Sequence, residues 1–269
     1  PDLARLGRFA GRLLAHRLFT VGAMIVVFFV LLGLIGPLLW SYDPNAIAVT
    51  ARFLPPSIQH PLGTDNFGRD ILARIAHGTR LSLAIGAAVA LFTTVLGTTM
   101  GLAVGYFRRI EASAVAFMDA LMAFPTILLA IGLSTALGPS LFNAVVALTI
   151  VYTPRMARIV RAAVLVVSRM DYVDAARAAG ATDLRILLRH ILPNCVAPII
   201  VQITFVFAYA VVSEAVLSFL GLGAPPPAIS WGMIVAEGRQ YLRNAWWICA
   251  FPGLAITLTV LGLNLLGDG

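Results

Sequence analysis

Residues with chemical potential are few in this chain, and they are scattered. Asp119 and Glu214 are carboxylates inside or beside long apolar runs. His16, His60, His77 and His190 share no metal-ligand spacing, and Cys195 and Cys249 are the only thiols. An enzyme embedded in a membrane would cluster a nucleophile, an acid and a base within its spans, and no such cluster can be drawn. There is no lysine at all, so a Walker-type G-x-x-x-x-G-K-[ST] phosphate loop is excluded. The two carboxylates each leave a choice. Asp119 is either a substrate or proton site, or an acid near a span end paired with Arg108 or Arg109. Glu214 meets either substrate or a neighbouring arginine.

The dense segment is 171–191. Asp171 is placed to cap a helix N-terminus, with Asp174 in the capping-box position three residues on. Ala175-Ala176-Arg177-Ala178-Ala179 continues as strong helix formers with small side chains. Gly180 falls where a left-handed C-terminal cap would sit, and Thr182 is placed to cap a second helix. Leu184, Leu187, Leu188 and Ile191 then recur at helical spacing, and Pro193 stops the pattern. Helix–glycine–helix results. An alanine-rich knob on a rigid mount suits a groove in another protein; an amphipathic helix lying on lipid is the alternative.

The elements around this segment are apolar spans. Apolar residues make up 60% of the 269 and charged ones only 12%, too few to cover a soluble surface; mean hydropathy is +0.93. A helix needs about 20 apolar residues to cross a bilayer. Residues 18–42 and 81–107 supply 25 and 27 uncharged positions. Further spans are expected near 112–137, from Leu141 past Pro154, over 191–214 and over 246–267. Pro225-Pro226-Pro227 excludes a span over 215–236. The predicted architecture is an all-α integral membrane protein with six transmembrane helices. The first apolar run is too long for a signal-peptide core and is read as a retained helix. Gly97, Gly101 and Gly105 form a small-residue stripe suited to close helix packing.

With the N-terminus inside, 13 arginines fall on inner segments and six on outer ones, which favours a cytoplasmic N-terminus. The chain then divides into a cytoplasmic segment 1–17, a first transmembrane helix 18–42, an external lobe 43–80 and a five-helix core 81–269. That core contains an inner loop, 155–190, and an outer loop, 215–245. The arginines lie between spans rather than along one face, so a lipid bilayer and not nucleic acid is the expected partner. Arg155, Arg158 and Arg161 either face a cytoplasmic partner or snorkel to head groups. Phe124-Pro125 is a potential kink. The lobe over 43–70, rich in proline, is expected to be extended and only partly ordered.

Asp174-Ala175-Ala176-x-x-x-Gly180, closing at Ile191-Leu192-Pro193-Asn194, resembles the EAA signature of membrane subunits of binding-protein-dependent ABC importers. Asp174 stands where that signature has glutamate. His60-Pro61-Leu62-Gly63-Thr64-Asp65-Asn66-Phe67-Gly68-Arg69-Asp70 is similar to the segment before the second span in the peptide-importer branch. Asp119-Ala120-Leu121-Met122-Ala123-Phe124-Pro125, Ser213–Gly223, Pro225-Pro226 and Ser230-Trp231-Gly232 extend the likeness over nearly the whole chain. The pattern most resembles the C-type permease of dipeptide and oligopeptide transporters.

The resemblance implies a type I ABC importer permease fold and a chain that is not itself an enzyme. It carries no cofactor; ATP and Mg²⁺ belong to partner ATPase subunits or a fused ATPase. A homologous second permease and an external solute-binding protein complete the machine in the cytoplasmic membrane. On this likeness Asp171, Tyr172, Asp174, Ala175, Ala176, Arg177, Ala178, Ala179 and Gly180 form the ATPase-docking coupling helix. Leu184, Leu187, Leu188 and Pro193 brace it. Asp119, Phe124 and Glu214 are candidates for the translocation pathway, and Asp65, Arg69, Pro226 and Trp231 for binding-protein docking.

Overall fold

The structure is a computed structural model that describes residues 17–268. The expected segment 1–17, with Arg5, Arg8 and Arg12, falls outside the described residues except for Arg17. Every long element is a helix. Helix α1 runs Arg17–Leu39, α2 Ile71–Tyr106, α3 Arg108–Met122, α4 Thr126–Leu137 and α5 Leu141–Val167. Helix α6 is Asp171–Ala178 and α7 Asp183–Ile186. Helix α7 continues through a π turn, Leu187–Ile191, and a 3₁₀ turn, Leu192–Cys195, into α8, Val196–Phe219. Helix α9 is Trp231–Gly238 and α10 Trp247–Asp268.

Helix α10 packs along α1, with Gly22 against Gly262 and Leu266, so Arg17 and Asp268 share one end of the bundle. Helix α2 runs antiparallel to α1: Gly36 meets Ala76 and Gly33 meets Thr79. Tyr106 therefore points to the terminal end, and residues 40–70 with α9 occupy the other, the lobe end.

Helix α2 begins ten residues before the apolar run that predicted it. Asp70 caps it, accepting from the Ala73 N–H at 2.8 Å, and Ile71, Ile75 and Ala76 are buried. Charged Arg74 and Arg80 ended the hydropathy signal but not the helix. At about 1.5 Å per residue its 36 residues span about 54 Å. Its glycine face lies on α5. A Cβ at Gly97 would stand 2.5 Å from Met156 Cγ, and one at Gly101 2.6 Å from both the Ala157 carbonyl and Val160 Cβ. Only hydrogen fits between these backbones.

The single span expected over 112–137 is two helices, α3 and α4, bent by 89°. Pro125 has no N–H to continue α3 and disfavours helical geometry in the residue before it. Among the described residues, four stretches are long and apolar enough to cross a membrane: α1, α2, 183–219 and α10. The α3–α4 pair passes only if counted as one broken span. Helix α5, the fourth expected span, is long enough at 27 residues, but Arg155, Arg158 and Arg161 lie in its second half. Its first thirteen of the residues assigned to the inner loop, 155–167, continue the helix.

The lobe is tied down rather than loose. Thr64 Oγ1 accepts from the Leu54 N–H at 2.8 Å, and Trp247 Nε1 donates to the Thr64 carbonyl at 3.0 Å. Residues 215–219 of the expected outer loop complete α8, and Trp231 of α9 is fully buried against α2.

The α2–α5 seam yields a test. Gly101→Ala should destabilise the detergent-solubilised protein by about 1–3 kcal/mol, the range for overpacking. Gly132→Ala in α4, where an added Cβ meets nothing within 4 Å, should leave stability unchanged or raise it by up to about 1 kcal/mol. Thermal unfolding of the two variants side by side checks the contrast.

Candidate functional site

At the terminal end, α6 and α7 meet at Gly180 in a Schellman turn. The Gly180 N–H donates to the Arg177 carbonyl and the Ala181 N–H to the Ala176 carbonyl, both at 3.0 Å. Gly180 has φ +81°, and an added Cβ would touch nothing. Conformation, not space, therefore demands glycine here. Val173 is fully buried and Ala176 partly, both packed on Val160, Val164, Ile186 and Leu187. Asp171, Tyr172, Asp174, Ala175, Arg177, Ala178 and Ala179 face outward. An open cleft of about 400 Å³ runs beside this knob, lined by Ala176, Ala179, Gly180, Arg185, Arg189 and His190.

Three local expectations change. Met170, not Asp171, takes the N-cap position and makes no side-chain bond, so Asp171 is the first helical residue. There it still favours the positive end of the helix dipole. Asp174 accepts from Arg177 Nη1 at 2.8 Å instead of closing a capping box. Thr182 holds the N-cap position of α7 without a side-chain bond. The Tyr106 hydroxyl, which sequence reading missed, donates to Asp183 at 2.7 Å and ties α7 to the end of α2.

The bracing set also changes. Leu187 is buried, but Leu184 and Leu188 are 66% and 53% exposed, and Ile186, Ile191 and Cys195 fill the interior instead. The reason is the π turn. The Leu192 N–H reaches back five residues to the Leu187 carbonyl, keeping 187, 191 and 195 in line and turning the buried face toward Ile186. Pro193, exposed in the following 3₁₀ turn, has no N–H to restore the regular ladder. Asn194 Nδ2 covers the His190 carbonyl at 2.7 Å.

A second cluster sits where α3 breaks from α4. Asp119 pairs with Arg158 of α5, not with Arg108 or Arg109, and Glu111 pairs with Arg161. Phe124 is exposed at the break and lines a small cavity with Tyr152 and Arg155. Tyr152 and Ser213 hydroxyls are 2.7 Å apart, and the Arg155 guanidinium lies 5.8 Å from the Tyr209 ring centre. Arg155, Tyr152, Tyr209 and Ser213 were not singled out as a group, because α5 and α8 bring them together from distant sequence.

Glu214 belongs to neither cluster. It is buried, accepts from Ser218 Oγ at 2.6 Å and Ser82 Oγ at 3.3 Å, and pairs with no arginine among the described residues.

At the lobe end, Asp65 and Arg69 are largely buried in a network of ion pairs. Asp65 Oδ2 accepts from Arg69 Nε at 2.6 Å and Arg74 Nη1 at 2.7 Å. Glu237 Oε2 of α9 accepts from Arg69 Nη2 at 2.6 Å and from the same Arg74 nitrogen at 2.7 Å. Two cations and two anions thus clamp the lobe and α9 to α2. Trp231 is buried beside them in the core, its Nε1 donating to the Ile75 carbonyl at 3.3 Å. Of the four expected docking residues only Pro226 is exposed.

A bundle with a glycine-packed seam, a broken third span and a helix–glycine–helix element at one end is the fold of type I ABC importer permeases. A chain of the inward-facing MetNI methionine ABC transporter superposes with a TM-score of 0.59 at 22% identity, covering 71% of this chain and 91% of that one. Residues 93–269 match the binding-protein-dependent transport system inner membrane component, and the chain belongs to that family. Residues 5–56 match the N-terminal transmembrane domain of oligopeptide transport permease C. The Brucella abortus protein named "Putative peptide transport system permease protein" is 55% identical, over 97% of this chain and 88% of its own length. The dipeptide transport system permease protein DppC of Alkalihalophilus pseudofirmus is 43% identical, over 94% and 84%. The chain is thus a multi-pass membrane transport permease.

The clamp is testable. Arg74→Met should cost about 3–5 kcal/mol, since it leaves Asp65 buried with one cation fewer. Adding Asp65→Asn to that variant should recover part of the loss. Thermal unfolding of wild type, both single variants and the double variant reads the coupling; strictly additive losses would contradict it.

Proposed function

We propose that this chain is the permease subunit of an ATP-driven importer that moves di- and oligopeptides across the cytoplasmic membrane by alternating access. A homologous second permease completes the pathway, and an external solute-binding protein delivers cargo at the lobe end. ATPase subunits or domains, holding ATP and Mg²⁺, bind at the terminal end, which places the N-terminus in the cytoplasm. The observation that carries this reading is the α6–Gly180–α7 element, a small-residue knob exposed at one end of the bundle on a buried mount. Family membership and relatives named for dipeptide and peptide transport support the cargo class.

In this mechanism Asp171–Gly180 seats in an ATPase groove. Val173, Ile186, Leu187 and Ile191 transmit its displacement into α5 and α8, and the Tyr106–Asp183 bond carries it to α2. Phe124, Tyr152 and Arg155 at the α3–α4 break line the pathway. Asp119 acts as the partner of Arg158, and Glu214 as a buried link between α8 and α2. Pro226 and the exposed lobe residues around it meet the binding protein.

Gly180→Val should disfavour the left-handed corner by about 1–2 kcal/mol and uncouple ATP hydrolysis from uptake in reconstituted complexes. Gly180→Asn, which tolerates that conformation, should keep coupling. Full coupling in assembled Gly180→Val would defeat the docking role. A cysteine at Ala178 should crosslink to one in the ATPase groove. Uptake should cease when ATP is exhausted while the ion gradients are held; continued uptake would favour a gradient-driven transporter.

A further inference from the structure

Helix α1 carries Pro37, which has no N–H to give to the carbonyl four residues back, that of Gly33. Arg80 of α2 fills the gap: its Nε donates to the Gly33 carbonyl at 2.5 Å and its Nη2 to that of Leu34 at 3.0 Å. These bonds fix the guanidinium but leave its charge unneutralised. Among the described residues Arg80 makes no ion pair. It is also the last charged residue before 27 uncharged positions, 81–107. The cation therefore stands at the edge of the hydrocarbon.

Two hollows meet at this arginine. Toward the membrane interior lies an open groove of about 530 Å³ between α1, α2, α8 and α10, lined by Phe29, Leu34, Ala87, Phe207, Thr259 and Leu263. Toward the lobe lies a second, of about 390 Å³, with Asn45, His77 and Pro227. Arg80 and Ala84 line both. His77 uses Nδ1 on the Ala73 carbonyl at 2.9 Å, and Asp43, the acid nearest in sequence to Asn45, accepts the Asn45 N–H at 2.9 Å. No carboxylate lines either hollow. Inside the groove the hydroxyl of Thr259, fully buried, has no partner. The groove opens beside an α1 whose Met24, Val27, Phe28, Leu31 and Leu34 are exposed, the surface of a helix in contact with lipid.

We propose that this is a binding site for one anionic glycerophospholipid. The phosphate rests on Arg80 with the His77 ring beside it. An acyl chain fills the groove under Leu34 and Ala87, with Thr259 and Leu263 behind it. Charge complementarity selects the class: an unpaired guanidinium at head-group depth, above an apolar slot, accepts a phosphate and a hydrocarbon tail in that order. The lipid wedges α1 against α2 and α10 and completes a seam that protein atoms leave open.

The test uses the intact transporter complex, purified in mild detergent and loaded with equal phosphatidylglycerol and phosphatidylcholine. Native mass spectrometry through graded delipidation should show one tightly held phosphatidylglycerol assigned to this chain, preferred roughly fivefold, the factor expected for one arginine at an anionic surface. Arg80→Gln keeps a donor for the Gly33 carbonyl and should bring the preference to near parity. Ala87→Trp should fill the slot and remove both lipids. A phosphatidylglycerol with a photoreactive acyl chain should label wild-type segments around Ala87, Phe207 and Thr259. Equal retention of the two lipids by wild type overturns the proposal. So does labelling elsewhere, or a high-yield crosslink from Leu34→Cys to the second permease, which would show protein covering the groove.

Discussion

The close approach of α2 and α5 over Gly97, Gly101 and Gly105 is the constraint on which the rest depends. Backbones that nearly touch cannot slide or tilt independently, because a close-packed interior has little free volume to absorb the shift. Helix α2 is thereby held as one rod through the bundle, and each end of it carries a load. At the lobe end Asp70 caps it while Arg74 binds Asp65 and Glu237. At the terminal end the Tyr106 hydroxyl holds Asp183, the first residue of α7. Val160 and Val164, on the α5 side of the seam, also line the interior that seats Val173 and Ile186. On the reading proposed above, a displacement of α6 passes into α5 and α8 through this interior and into α2 through Tyr106.

Three prolines show how the chain keeps its backbone satisfied in an environment without water. Each lacks an N–H, and each leaves a carbonyl that hydrocarbon cannot solvate. At Pro37 the answer comes from another helix, through Arg80. Before Pro125 the helix stops and restarts at 89°. Ahead of Pro193 the ladder widens into a π turn that brings the Leu192 N–H to the Leu187 carbonyl. The three solutions have different consequences: an anchored cation, an exposed corner at Phe124, and a rotated buried face on α7.

Local chemistry was legible in the sequence wherever one residue type decides the geometry. Gly180 announced a left-handed corner because no other residue suits it as well, and the apolar runs located α1, α8 and α10 closely. What failed were inferences that treated a position as independent of distant partners. Asp65 and Arg69 read as surface among prolines and glycines, yet Glu237 arrives from more than 160 residues away and buries them. Trp231 followed a proline-rich turn and looked exposed; α2 offers it the Ile75 carbonyl. Leu184 and Leu188 fit a regular 3.6-residue stripe, and the π turn moved the stripe. Arg158 took Asp119 from Arg108 and Arg109 because the bend at Pro125 lays α3 across α5. Local periodicity carries no information about such crossings.

The two lateral faces of the bundle differ in what they can touch. Along α1 the exposed residues include Leu18, Val21, Met24, Val27, Phe28, Leu31 and Leu34, with no charge between 18 and 42; hydrocarbon solvates these at no cost. The face formed by α3, α4, α5 and α8 exposes Asp119 with Arg158, as well as Arg155 beside Tyr209. Ionised groups at membrane depth are costly against lipid unless they meet protein or a watery path. Paired Asp119 and Arg158 reduce that cost, but Arg155 has only aromatic and hydroxyl neighbours. On the reading proposed above, the second permease therefore belongs against this face and not against α1. Arg155 and Tyr209 would then look into the space between the two subunits, where cargo, not lipid, is the neighbour.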